Sequence, residues 1–279
     1  MGLFDGQVAL VTGGGHGQGR AHALGFAREG ADIVICDIAA QIDEIPYPLA
    51  TGDDLDETVR LVEKEGRRCV AVVADMRRTT DVAGVVSEAL EAFGRIDVLV
   101  ANHGVINYAT VEQTTDEMWD SVVDTNLTGV FKIFRAVIPS MKAAGYGRIV
   151  ATSSMGARQP HPNLAHYVAA KCGVIGLVKS CAQEVADFGI TVNAVCPGAV
   201  GTNLFLNEAT YRLFCPDIED PTPEDFEQRL IDLHRGLNGH RYLQPEHVTR
   251  AVMYFAGDRD GIMTGQITEL GLGDMARIY

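Results

Sequence analysis

Seven short apolar runs rich in β-branched residues recur along the chain, at residues 7–11, 32–36, 69–73, 96–101, 148–152, 191–196 and 266–270. Between them lie stretches with helical spacing of apolar positions, at 20–29, 55–65, 80–93, 117–141, 165–188 and 245–257. Strands that alternate with helices predict an α/β chain with a doubly wound parallel sheet of about seven strands and helices on both faces. Ligands then belong at the C-terminal ends of the strands.

Two segments break the rhythm. Residues 38–54 form a connection far longer than the usual ~2–6 residues, and Ile42, Ile45, Tyr47 and Leu49 make it too apolar for a free linker. It leaves the end of the second strand, so it either covers a ligand there or forms a surface insertion or subunit contact. Residues 199–242 mix Leu204, Phe205, Leu206, Tyr211, Leu213 and Phe214 with several prolines and an acidic cluster. This segment is expected to be a lid over an apolar substrate, with a partner-binding excursion as the alternative. No internal repeat or low-complexity stretch divides the chain, so 1–279 is expected to be a single domain.

Composition narrows the partners. Asp and Glu outnumber Lys and Arg by 37 to 23, a net charge of −14, which argues against nucleic acid, an anionic membrane or an acidic carrier protein. No apolar run approaches the ~18 residues of a spanning helix. Residues 1–6 lead directly into a strand, so no signal peptide is expected. Cysteines 36, 69, 172, 181, 196 and 215 lack C-x-x-C spacing and read as reduced, buried thiols of a cytoplasmic protein. The eight histidines show no ligand spacing, so no metal site is expected.

The first strand runs into Thr12-Gly13-Gly14-Gly15-His16-Gly17-Gln18-Gly19 and then a helix. Glycines allow a tight turn and close backbone approach, and a helix N-terminus favours a pyrophosphate, so this is a dinucleotide motif in its proper context. Asp37 ends the second strand about twenty residues on, where a carboxylate accepts ribose hydroxyls and repels a 2′-phosphate. Ile38 follows it, and NAD is preferred over NADP, with His16 a mild dissent. Asp75, with Met76 beside it, stands where a side chain could meet the adenine. Asn102-His103-Gly104 follows the fourth strand, and Pro197-Gly198, Val200 and Thr202 follow the sixth. Asn126 interrupts an apolar helix face, as a local bulge device or as part of a polar relay.

Ser154 follows the fifth strand, thirteen residues before Tyr167, and Lys171 lies four residues beyond it. On a helix Tyr167 and Lys171 leave the same face. A nearby ammonium lowers a phenol from its usual pKa of ~10, which makes proton transfer to or from a hydroxyl or carbonyl feasible. Y-x-x-x-K alone could equally be an ordinary amphipathic helix.

Together these motifs resemble the short-chain dehydrogenase/reductase family, with its Rossmann-type fold, over essentially the whole chain. The resemblance implies that Tyr167 is the acid/base, Ser154 orients the substrate oxygen, Lys171 lowers the tyrosine pKa and binds the nicotinamide ribose, and Asn126 helps hold a relay water. It also implies a homotetramer. Y-P-L-A-T followed by D-L-x-E-T-V-R-L-V resembles the branch typified by carveol dehydrogenase, which implies a tightly held NAD, a mycofactocin-type electron acceptor and hydrophobic secondary alcohols such as terpenoids. A carbonyl or ketoacyl reductase and a catalytically silent NAD-binding regulator are the alternatives. One departure is Glu269-Leu270-Gly271, where the family often has Val-Asp before a glycine.

Overall fold

The structure is a computed structural model that describes residues 2–233 and 240–272. Seven parallel strands form one sheet in the order β3-β2-β1-β4-β5-β6-β7. They are β1 Val8–Thr12, β2 Asp32–Asp37, β3 Cys69–Val73, β4 Val98–Ala101, β5 Gly147–Thr152, β6 Ile190–Pro197 and β7 Ile267–Leu270. The order reverses between β1 and β4, and parallel strands diverge there into a crevice at their C-terminal ends.

Alternation along each strand feeds two cores. Val8 and Leu10 of β1 turn to the face covered by α3 (Thr79–Phe93), α5 (Gly129–Ala144) and α6 (Ala165–Val185). Ala9 and Val11 turn to the face covered by α1 (Gly17–Arg28), α2 (Gly52–Lys64) and α9 (Pro245–Ala256). Period-two burial on both faces is what made the strands read as continuous apolar runs. The edges differ: β3 is only partly covered, and β7 is intermediate along its length.

Three expectations are corrected in detail. The stretch expected as one helix over 117–141 is α4 (Asp116–Val123), a π-helical turn (Asp124–Thr128) and α5. The extra residue in the turn swings Asn126 inward, where its side chain accepts from Val105 N at 2.8 Å and donates to Val105 O at 2.7 Å. The long connection ends at residue 51 rather than 54, because Thr51 and Asp54 close a capping box that starts α2. Cys172 is exposed and Cys69 only partly covered, whereas Cys36, Cys181, Cys196 and Cys215 are buried.

Among the described residues, the expected lid after β6 contains two helices, α7 (Glu208–Phe214) and α8 (Pro223–Leu233). They share a small core of their own, with Cys215, Phe226 and Leu230 buried beneath Phe205, Tyr211 and Phe214. Residues 234–239 of the expected lid lie outside the described residues.

Candidate active site

The crevice at the β1/β4 reversal opens into a cleft whose empty space, counted out into the solvent at its mouth, is about 850 Å³. Its floor is the turn between β1 and α1. Gly13 has φ +69, and a β-carbon there would fall 2.9 Å from the His103 Cα. At Gly19 a β-carbon would meet the Gly13 carbonyl oxygen at 1.8 Å, so α1 can start this close to the sheet only with glycine. No side chain caps α1 at His16, which leaves its first N–H groups directed at the cleft mouth.

Asp37 is anchored by the same turn: its Oδ2 accepts Gly15 N at 3.0 Å and its Oδ1 accepts Ile38 N at 2.9 Å. Asn102 Nδ2 donates to the Thr12 carbonyl at 3.2 Å and lies 3.4 Å from the Gly13 carbonyl oxygen, fixing the β4 loop against the β1 turn. Of the expected nucleotide-site residues, Gly13, Gly17, Gln18, Asp37, Ile38, Asp75, Met76, Asn102, Gly104 and Thr202 all line the cleft. Burial would raise the Asp75 carboxyl, but the bidentate Arg77 guanidinium overrides this and holds it below the usual range. Gly19, Pro197, Gly198 and Val200 stand outside the lining. Gly19 is packed under the turn, Gly198 donates its N–H to Leu270 O, and Val200 pairs with Leu243.

The second group of residues lies beside the inner end of the cleft. Ser154 follows β5, its Oγ accepts Gly156 N at 3.0 Å, and a β-carbon on Gly156 would meet both that oxygen at 3.3 Å and the Tyr167 ring at 3.7 Å. Burial pushes the Tyr167 phenol up, and the neighbouring Ser154 hydroxyl pulls it back in part. Lys171 is buried, with Nζ donating to the Thr152 carbonyl at 2.8 Å and lying 5.8 Å from the Tyr167 ring centre. Burial lowers its ammonium from the usual 10.5 to about 8. Gly104 is where the elements converge: a β-carbon there would sit 3.2 Å from Asn126 Oδ1 and 3.3 Å from Lys171 Nζ. The four polar groups are thus neighbours, although in the protein alone the ammonium is turned to a carbonyl and burial dominates the phenol. A phenol, a hydroxyl and a buried ammonium placed together can hand a proton to or from a bound oxygen.

Sequence reasoning missed part of the wall. Tyr47 and Ala50 from the 38–51 insertion line the cleft, as do His103, Val105 and Thr125. The apolar pattern of 42–49 signalled packing but not its target. That target is a cluster in which Ile42, Ile45 and Tyr47 meet Val105, Ile106 and Leu164, with Tyr167 at its margin. His103 is buried, its Nδ1 2.7 Å from Thr12 Oγ1, and burial lowers it to about 3, so it is neutral. Tyr108 closes the other side through a 2.7 Å bond between its hydroxyl and Thr210 Oγ1 of α7. His161 lies against the same helix, its ring 6.4 Å from that of Phe214.

The cleft fits a dinucleotide. His16 Nε2 and Gln18 Oε1 are buried at its helix end without protein partners, and the Asp37 carboxylate lines it beside the same turn. Among the described residues no group of three His, Cys, Asp or Glu side chains could hold a metal ion. No described helix is long and apolar enough to cross a membrane.

A seven-stranded doubly wound sheet with this constellation defines a nucleotide-linked oxidoreductase architecture, and comparison with known proteins places it. The chain belongs to the short-chain dehydrogenase family, whose model matches residues 7–211. It is similar to (−)-trans-carveol dehydrogenase of Rhodococcus erythropolis, 41% identical over 81% of this chain and 83% of that one. Among solved structures it is similar to carveol dehydrogenase from Mycobacterium avium in complex with NAD. The identity is 38% over 99% of this chain and 100% of that one, with a TM-score of 0.95. A short chain dehydrogenase from Mycobacterium paratuberculosis bound to NAD gives 33% identity, the same coverages and a TM-score of 0.88.

Proposed function

We propose that this chain is an NAD-dependent dehydrogenase that interconverts a hydrophobic secondary alcohol, carveol-like or terpenoid, and its ketone. The observation that carries the reading is the grouping of Ser154 and Tyr167 beside Lys171 and Asn126 at the inner end of the cleft. NAD would be held by the glycine turn, with Asp37 on the adenosine ribose, Asp75 and Met76 near the adenine, and Asn102, Gly104, Pro197, Gly198, Val200 and Thr202 along the nicotinamide half. When bound, it supplies the hydride acceptor.

The chain's own residues supply placement and proton transfer. Ser154 orients the substrate oxygen toward Tyr167, which removes the hydroxyl proton in oxidation and returns it in reduction. Lys171 positions the ribose and supports the phenolate electrostatically. Asn126, fixed by both backbone groups of Val105, holds the proton-relay end of the π turn. The apolar surface of Ile106, Leu164 and Leu204 around Tyr167 favours a substrate with little polarity beyond its reacting oxygen.

The 38–51 insertion would retain the nucleotide, with reoxidation in place by an external, mycofactocin-type acceptor. The whole chain is read as one cytoplasmic catalytic domain that assembles as a homotetramer. The test is the absorbance and mass of material released on denaturing the purified, desalted protein. Stoichiometric NAD or NADH, with dye-linked oxidation of carveol, supports the reading. Preferential binding and turnover of NADPH with ketones would replace it with a carbonyl reductase.

A further inference from the structure

Arg20 lies in the first turns of α1 but does not line the cleft; its side chain folds back under the glycine turn. Nη2 donates to the Gly15 carbonyl at 2.6 Å and to the Asp54 carbonyl at 3.0 Å, and lies 3.4 Å from the Asp54 carboxylate. Nε donates to Thr58 Oγ1 at 2.9 Å. Thr58 is fully buried, and its hydroxyl also reaches the Gly15 carbonyl at 3.1 Å. One guanidinium therefore joins α1, the glycine turn and the first two turns of α2.

Gly15 is held on three sides as a result. Its carbonyl is gripped by Arg20 and Thr58, and its N–H by the Asp37 carboxylate. Its α-carbon faces Ala50, whose Cβ would lie 2.6 Å from a β-carbon at Gly15. Ala50 is the buried end of the insertion, and Asp54 sits two residues into the helix that the insertion feeds. The glycine turn and the exit of the insertion are fastened to the same side chain.

We propose that Arg20 is a positioning residue that couples the glycine turn to the exit of the 38–51 insertion and thereby sets how long the nucleotide stays bound. This inference rests on the NAD reading above. Loss of the guanidinium leaves the Gly15 carbonyl on Thr58 alone and cuts the tie between α1 and the start of α2, so the seats of Asp37 and Ala50 loosen together.

The experiment loads the full-length protein with NADH, chases it with excess NAD and follows release by fluorescence, alongside thermal melting. Arg20→Gln should release NADH about tenfold faster, the size of one charge-assisted hydrogen bond. Arg20→Lys, which keeps the charge but not the fork, should fall between it and the wild type. Thr58→Val should also release faster. Arg28→Gln is the control, since it removes the other α1–α2 ion pair, Arg28–Glu65 at 3.0 Å, away from the turn; its release rate should match the wild type. Wild-type release from Arg20→Gln, or equal acceleration in Arg28→Gln, overturns the proposal. Wild-type protein that releases no nucleotide on denaturation and also takes up no NADH refutes the nucleotide reading, and this inference with it.

Discussion

The hydroxyl of Tyr47, carried by the insertion after β2, accepts the backbone N–H of Ile106 from the loop after β4 at 3.0 Å. The two loops leave strands on opposite sides of β1, so this bond closes a bridge across the cleft mouth. Tyr47 is buried, and burial keeps its phenol protonated. Tyr47→Phe preserves the packing but leaves a buried N–H unpaired, at a cost of about 1–3 kcal/mol. The expected outcome is a lower urea midpoint with an unchanged m-value, together with faster NADH release. Unaltered release would mean that the bridge serves folding only.

Tyr167 gives the sharpest chemical expectation. Tyr167→Phe keeps the ring in its cluster but removes the hydroxyl assigned to exchange the substrate proton, so turnover should vanish while NADH still binds. Because burial raises the phenol, the wild-type oxidation rate should climb as pH rises into the alkaline range, whereas ketone reduction should weaken there. Ser154→Ala removes the hydroxyl that offsets the burial and should shift the alkaline limb further up. Steady-state rates in both directions from about pH 6 to about pH 11, which brackets the ~10 of a free tyrosine, check all three.

How much of this could be read in advance follows from how local each feature is. The strands and the glycine turn were legible because β-branched runs and turn chemistry act within a few residues of themselves. The π turn was legible only as one of two readings of Asn126, a local bulge or a relay, because the bonds that fix the side chain run to Val105, distant in sequence. The apolar positions of 42–49 announced burial, but Val105, Ile106 and Leu164, which bury them, follow only from the sheet order. Short helices and prolines hid α7 and α8 in the lid, although Phe205, Phe214 and Phe226 pack as a core of their own. Y-x-x-x-K spacing placed Lys171 near Tyr167 but could not show that its ammonium is turned to the Thr152 carbonyl.

His22 ties α1 to α9 through a bond between Nδ1 and Thr249 Oγ1 at 2.8 Å, and burial lowers its pKa from 6.5 to about 3. Thr249 donates its own proton to Pro245 O, so Nδ1 carries the hydrogen and the ring is neutral. The native pKa lies below the unfolded one, so the unfolded chain binds the proton first. The contribution to stability is complete above about pH 6.5 and declines as pH falls toward 3. At pH 4.5 the loss should be about 2–3 kcal/mol. His22→Asn should therefore show a shallower fall in urea midpoint between pH 7 and 4.5 than the wild type, whatever its stability at neutral pH. Parallel slopes would rule out His22 as a source of the acid sensitivity.

Lys171 is the converse case, a cation whose burial is tolerated for what it can do. Burial brings its pKa down from 10.5 to about 8, and the single carbonyl of Thr152 is its hydrogen-bond acceptor. Below pH 8 the ammonium is charged in both the native and unfolded states, and the native state bears the desolvation cost. Between about 8 and 10.5 the native lysine is neutral while the unfolded one still holds its proton, so stability from this residue rises with pH. Lys171→Met has no such titration. The melting temperature of the wild type minus that of Lys171→Met should therefore increase from pH 8 to 10, and carveol oxidation should be lost in the variant at every pH. A difference that stays flat would show that the lysine is not desolvated in the native protein. Retained oxidation would remove Lys171 from the proton-transfer group altogether.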